Sequence, residues 1–375
     1  MLFSTLLALS AALLGGFDGR SHQRPVRLCY VSSNLNSAFS DSYDASLHHS
    51  GALLATREMA HLFPAGIDLV IRPKVPPNTL ITDEIEWADR AGCALVIGHI
   101  ASRDALLASP LLRSRGLGAI STIAQTDEID ALFPHLLSLA PPHSVWANAL
   151  QRYVCDASAE QVIVVTKQDD AFSVLAAEQI RRSFEAADIR FSEVELDGEN
   201  SFDEADLRLI AKESSNRTAI IYAIYPLLAI PSLEQLASAE STSTRRTILG
   251  NITWHEDLAF RMRRDLLERL PTILAPRPAT PERQRYKHFA EAHRAAWGVF
   301  PEYEAGYDYD ATMLALECLV GSQHSAPVRA RALQCLARTR TVPGVMSVYR
   351  FDGERAHGQH EMTFTQVVPI ERRFP

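Results

Sequence analysis

The chain has 375 residues, a formal net charge of -8, and 47% hydrophobic and 22% charged residues. Its length is more than one compact core usually accommodates and implies two domains. The acidic balance speaks against nucleic acid or an anionic membrane surface as a partner, and the one basic cluster, Arg261–Arg264, reads as a solvated helix face.

The N-terminal run MLFSTLLALSAALLGG is apolar, ends in small residues and is too short for a comfortable membrane span. It reads as a secretory signal peptide, so residues 1–20 are set apart from the fold and the mature protein is expected to be exported. No Lys or Arg precedes the apolar run, which leaves an uncleaved anchor or a misassigned start as alternatives. Pro25–Val31 is the opening strand, followed by a polar loop, Ser32–Asp44, and a helix from about Ser46 to Phe63. Ile67–Ile71 is a strand, Ile81–Arg90 a helix, and Ala94–Ile97 a strand broken by Gly98-His99. A helix opens at Ser102 and stops at Gly116, Gly118–Ser121 is the next strand, and Thr126-Asp-Glu starts a further short helix. Residues 25–140 thus alternate strand and helix as a parallel α/β sheet requires.

At Ala140-Pro-Pro-His the pattern restarts. Val145–Cys155 reads as helix, Gln161–Thr166 as a fully buried strand, and Asp170–Ala187 as a helix with Phe172, Leu175, Ala176, Ile180 and Phe184 on one face. Ile189–Glu195, Ala219–Ala223 and Thr247–Gly250 read as strands, with helices at Glu204–Glu213 and Leu227–Ala239 between them. Thr272–Ala275 is a short strand before Pro276, Pro278 and Pro281. Helices follow at Glu282–Trp297, Tyr307–Leu319 and Ala326–Ala337. Gly344–Phe351 and Met362–Val368 alternate like a terminal antiparallel hairpin around Asp352-Gly353.

The five cysteines have no C-x-x-C spacing. Cys29 and Cys93 abut strands and are expected as buried thiols, whereas Cys318 and Cys335 could pair in an oxidising compartment. Neither His48-His49 nor His357-x-x-His360 has the spacing of a metal site, and no cofactor is expected. The sequence has no nucleophile elbow, P-loop, dinucleotide fingerprint or zinc-protease motif, so a binding role is expected rather than an enzymatic one.

Ligands of parallel sheets sit beyond the carboxyl ends of the strands, where helices begin. Two turns lie at that end, Gly98–Arg103 and Thr122–Thr126. The Ser102 hydroxyl could hold a ligand carboxylate together with helix N–H groups, or simply cap its own helix. Thr126 could contact a ligand or act as an N-cap.

Val96–Ser102 (VIGHIAS), Ala119-Ile-Ser followed by Ala124-Gln-Thr126, Phe289, and Tyr307-Asp308 with Ala311 and Leu314-Ala315 stand in the order of motifs of a known family. On these residues the chain resembles the periplasmic solute-binding proteins of the type I class, most closely the branched-chain amino-acid-binding branch that serves ABC transporters. The resemblance implies an α/β fold of two doubly wound parallel-sheet lobes joined by a three-strand hinge. Lobe one is then residues 25–141 plus 277–340, and lobe two 142–276 plus 341–375. It implies a monomeric receptor that clamps a small molecule between the lobes and delivers it to a membrane permease, with a ligand-sensing regulatory subunit of the same fold as the alternative. It also implies ligand contacts at Ser102, Ala124, Gln125, which stands where the family has threonine, Thr126 and Asn251. Tyr43 and Tyr225 are expected to cover an apolar ligand group from either lobe. Where amino-acid binders place an acid against the ligand ammonium, this chain has Asn251-Ile252-Thr253-Trp254, with Glu256 and Asp257 beyond. Asp169 and Asp170 could substitute, and otherwise a different small carboxylate, an amide or a more apolar solute is implied.

Overall fold

A computed structural model describes residues 24–32, 49–72, 79–185, 187, 189–213, 217–239, 247–255, 263–270, 273–278, 283–320, 327–358 and 360–367. The apolar N-terminus, Tyr43, His48, Glu256 and Asp257 lie outside the described residues.

The first sheet comprises β1 (Val26–Ser32), β2 (Ile67–Ile71), β3 (Leu95–His99), β4 (Gly118–Ser121) and β5 (Leu136–Ser138). Its order is β2-β1-β3-β4-β5 and every pairing is parallel. The intervening helices are α1 (Ser50–Met59), α2 (Ile81–Arg90) and α3 (Ser102–Arg115). α3 ends at Gly116 in the left-handed conformation, φ 57°, as a C-terminal glycine allows. β5 is too short and too close to the preceding turn to stand out by periodicity, and it is an addition to the expected strands.

The second sheet repeats the first. It contains β6 (Gln161–Thr166), β7 (Arg190–Glu195), β8 (Thr218–Tyr222), β9 (Thr247–Leu249) and β10 (Ile273–Pro278), in the order β7-β6-β8-β9-β10. Helices α4 (His143–Asp156), α5 (Ala171–Phe184), α6 (Glu204–Glu213), α7 (Pro226–Ala239) and α8 (Arg264–Arg269) accompany it. Every residue of QVIVVT in β6 is buried, which fits a strand with apolar layers on both faces.

Helices α9 (Arg283–Trp297), α10 (Tyr303–Leu319) and α11 (Val328–Arg338) return to the first lobe. Phe289, Leu314, Ala315 and Leu336 share one buried cluster with Leu28, Leu95 and Ile97. α1 lies close against α10 at Gly51, where a Cβ would fall 1.8 Å from the Ala305 carbonyl oxygen. Only glycine tolerates that approach.

Residues after 340 do not behave as expected. β11 (Thr341–Pro343) pairs antiparallel with β12 (Val348–Arg350). Val342, Val345, Met346, Tyr349 and Phe351 lie in the first-lobe core. The buried Asp310 of α10 explains why, since it accepts from the Val345 N–H (2.7 Å), the Met346 N–H (3.0 Å) and the Tyr349 hydroxyl (2.7 Å). Residues 341–357 therefore pack with lobe one. β13 (Met362–Gln366) pairs antiparallel with β10 rather than with β12, so the expected terminal hairpin is replaced by an added edge on the second sheet.

The chain passes between the lobes after β5, after β10 and before β13. Cys29 and Cys93 form a disulfide, correcting their reading as thiols, and Cys318 pairs with Cys335. Both bridges lie in the first lobe, and Cys155 is free and exposed.

Candidate ligand-binding cleft

The carboxyl ends of β3 and β4 deliver both candidate turns to one place. Gly98 makes this possible, with φ +129° and an added Cβ only 2.2 Å from the Val31 carbonyl oxygen on β1. Two serine hydroxyls lace the turns together. Ser121 donates to the Ile100 carbonyl (2.8 Å) and accepts from the Ala124 N–H (2.9 Å). Ser102 accepts from the N–H groups of Gln125 (2.9 Å) and Thr126 (3.1 Å). Ser102 is thus the first residue of α3, with Ala101 at the N-cap position, and its oxygen serves the second turn rather than its own helix. A hydroxyl that accepts twice still has one O–H to donate.

The second turn also reaches lobe two. The Gln125 carbonyl accepts from the His143 N–H (2.7 Å) at the start of α4, and its side-chain Oε1 accepts from the Trp146 indole N–H (3.1 Å). That leaves the Gln125 amide N–H groups as donors. Thr126 stands at the N-cap of the 3-10 turn Asp127–Leu132, but its hydroxyl donates to Glu128 (3.3 Å) instead of capping. Ala124 is buried, and its carbonyl accepts from Ser138 (2.6 Å) and faces His357 Nε2 (3.2 Å).

A row of rings extends into lobe two. His143 stands edge-on to Trp146 (5.7 Å) and to Phe172 (5.4 Å), and Phe172 stacks on Tyr225 (4.4 Å between centroids). Through Gln125, His143 and Phe172 the structure therefore connects Ser102 with Tyr225. Burial, and secondly the charge of His357, push His143 down to about 3, so it is a neutral ring at neutral pH.

Between the lobes lies a cavity of about 20 Å³, room for a water rather than a solute. Thr122, Ile123, Gln125, Ala140 and Pro141 line it from the first lobe and the first crossing, Ile252 and Thr253 from the turn after β9, and Glu304 and Tyr307 from α10. Asn251 is not among these residues. It is fully buried, its amide donates to the carbonyls of Ile224 (2.7 Å) and Tyr222 (3.4 Å), and its oxygen accepts from the Thr253 N–H (2.9 Å) and hydroxyl (2.7 Å). Its hydrogen-bonding capacity is spent inside lobe two, which corrects its place among the candidate ligand contacts. Asp170 caps α5 through the Phe172 N–H (3.1 Å), and Asp169 lies beside Lys167 (3.4 Å).

Beside the cavity is a buried polar cluster that the sequence did not single out. His99 Nε2 lies 3.2 Å from Asp308 and Nδ1 3.7 Å from Glu304, and the Tyr30 hydroxyl donates to Asp308 (2.7 Å). Glu304 and Asp308 are one helical turn apart and so share a face of α10. Burial, then the charge of Glu304, raises the neighbouring Glu302 to about 8. Burial, followed by Asp308, raises the Tyr30 phenol above its ordinary range. The only sign of this cluster in the sequence was a histidine at a strand end and the Tyr307-Asp308 pair.

A family model described as periplasmic binding protein matches residues 77–371. No curated protein sequence matches. Among solved structures, an ABC transporter substrate-binding protein from Desulfitobacterium hafniense in complex with Leu is 21% identical, with 92% of this chain and 97% of that chain covered and a TM-score of 0.67. The branched-chain amino acid transporter substrate binding protein LivJ from Streptococcus pneumoniae, in complex with isoleucine, is 17% identical over 91% of this chain and 95% of that one, with a TM-score of 0.70. A solute binding protein from R. palustris in complex with benzoate is 14% identical, covering 92% and 93%, with a TM-score of 0.70. These three solved relatives share the two-lobed fold.

Proposed function

Because the chain belongs to the periplasmic binding protein family, we propose that its interlobe cleft takes up a small solute, closes over it about the crossing segments and presents it to an ABC-type permease. The observation that carries this reading is a cavity walled by the Thr122–Gln125 turn of one lobe and by Ile252 and Thr253 of the other. A solute larger than water requires those walls to part and come together again. The Ser102 hydroxyl, the Gln125 amide and the N–H groups opening α3 supply donors for a carboxylate or carbonyl of the solute. Thr126 and Ala124 shape that turn, and Tyr225, stacked on Phe172, offers an apolar wall, which Tyr43 would complete from lobe one.

The neighbours described above bind leucine, isoleucine and benzoate, and the polar turn beside an apolar wall suits the same broad class of small carboxylates and amides. Transport is preferred to a ligand-sensing regulatory role because the family model and these neighbours are those of binding proteins, the neighbours serving transporters. On this reading the protein is a monomer, exported by its apolar N-terminus, that carries out no chemistry. N-terminal sequencing of fractionated cells checks the export. Small-angle scattering on solute-stripped protein, before and after the retained solute is restored, checks the clamp. A smaller radius of gyration with solute supports it, and an unchanged radius contradicts it.

A further inference from the structure

Ser102, Ser121, Thr122 and Thr126 bring hydroxyls to the two cleft turns, and all but that of Thr122 are committed within the protein. Ser102 accepts from two backbone N–H groups, Ser121 donates to the Ile100 carbonyl and accepts from the Ala124 N–H, and Thr126 donates to Glu128. Thr122 lines the cavity, is 1% exposed, and its hydroxyl has no partner among the described residues. Its backbone is held nonetheless, since the Thr122 N–H donates to the Gly98 carbonyl (3.1 Å). A hydroxyl withdrawn from water and left unpaired is a cost to the fold, and valine would fill the same shape without it.

We infer that Thr122 determines specificity in the cleft: its hydroxyl hydrogen-bonds a polar substituent that the solute carries beside its carboxylate or carbonyl. This rests on the reading of the cleft as the solute site. Gln125, three residues further along the same turn, lines the same cavity and keeps its amide N–H groups as donors. A solute whose carboxylate is taken by the Ser102 and Gln125 donors then meets the Thr122 hydroxyl with a neighbouring group. Because a hydroxyl both donates and accepts, an alcohol, amide or amine satisfies it and a hydrocarbon does not. A solute lacking such a group leaves the hydroxyl unpaired in the closed cleft, and that penalty is the source of the discrimination.

The test titrates solute-stripped protein by calorimetry with two matched pairs, 2-hydroxy-4-methylpentanoate against 4-methylpentanoate and mandelate against phenylacetate. Wild type, Thr122→Val and Thr122→Ser are compared, and the solute-free proteins are also unfolded in urea. In a pair that binds, the hydroxy acid should bind about tenfold or more tightly to the wild type, Thr122→Val should abolish that preference, and Thr122→Ser should keep it. The urea midpoint of Thr122→Val should equal or exceed that of the wild type. Equal binding of the two members, or a preference that survives in Thr122→Val, overturns the inference and leaves the receptor reading standing. So does a Thr122→Val protein that is less stable or does not fold, because the hydroxyl then serves the fold itself. Should none of the probes bind, native mass spectrometry of the unstripped proteins decides. A retained solute with a second polar group, lost from Thr122→Val, supports the inference, and one without such a group, or held equally by the variant, overturns it. A protein that retains nothing and binds none of the probes removes the receptor reading, and this inference with it.

Discussion

At the scale of single residues, hydroxyl and amide groups hold the candidate site in shape before any solute arrives. Ser102 satisfies two backbone N–H groups of the second turn, so Ser102→Ala should cost about 1–3 kcal/mol in urea unfolding as well as affinity, because two partly buried donors lose their acceptor. A mere capping serine would leave affinity intact. Asn251 behaves differently. Replacing it with Asp, the kind of residue amino-acid binders place there, sets a carboxylate against the Ile224 and Tyr222 carbonyls. The expected result is a loss of about 2 kcal/mol or more in stability with no gain in binding of amines. Tighter amine binding by Asn251→Asp would show that the side chain can turn into the cleft.

At the scale of elements, the strand–helix alternation was legible because apolar runs such as QVIVVT and amphipathic helices such as α5 report burial directly. Three things were not. β5 is only three residues long, β11 and β12 are held by a buried aspartate far away in sequence, and the disulfide between Cys29 and Cys93 depends on β1 lying beside β3. Of the candidate site, the two turns could be read from strand ends and glycine, whereas Glu304 and His143 reach it through a tertiary meeting that no local spacing encodes. The bridges give a further prediction. Cys29–Cys93 closes a separation of 64 residues and Cys318–Cys335 one of 17, so removing the first should destabilise lobe one by about 4 kcal/mol and the second by about 3 kcal/mol in paired serine variants. Equal stability of all variants in urea would contradict this. The crossing segment carries a pH dependence. His143 has a folded-state value of about 3 against an ordinary 6.5, so the folded form binds fewer protons and loses stability as pH falls below 6.5. His143→Asn should therefore close the gap to the wild type by about 1.4 kcal/mol per pH unit between pH 6.5 and 4. A gap that stays constant over that window would show that His143 titrates normally. Comparison with the variant is needed because Asp310 (about 6) and Glu302 (about 8) are raised, and each removes stability as pH rises through that window.

At the scale of the whole molecule, two sheets with one strand order each build their own core on both faces, and a small cavity walled by residues of both lobes lies between them. Lobes with separate cores can move without either core unfolding, which fits the proposed closure about the crossing segments. The most direct measurement is a crystal structure of the protein purified gently enough to keep its solute. The expected result is one small molecule touching the Thr122–Thr126 turn on one side and Ile252 or Tyr225 on the other. A solute seated on one lobe's outer surface, or lobes that pack identically with and without it, would contradict the account.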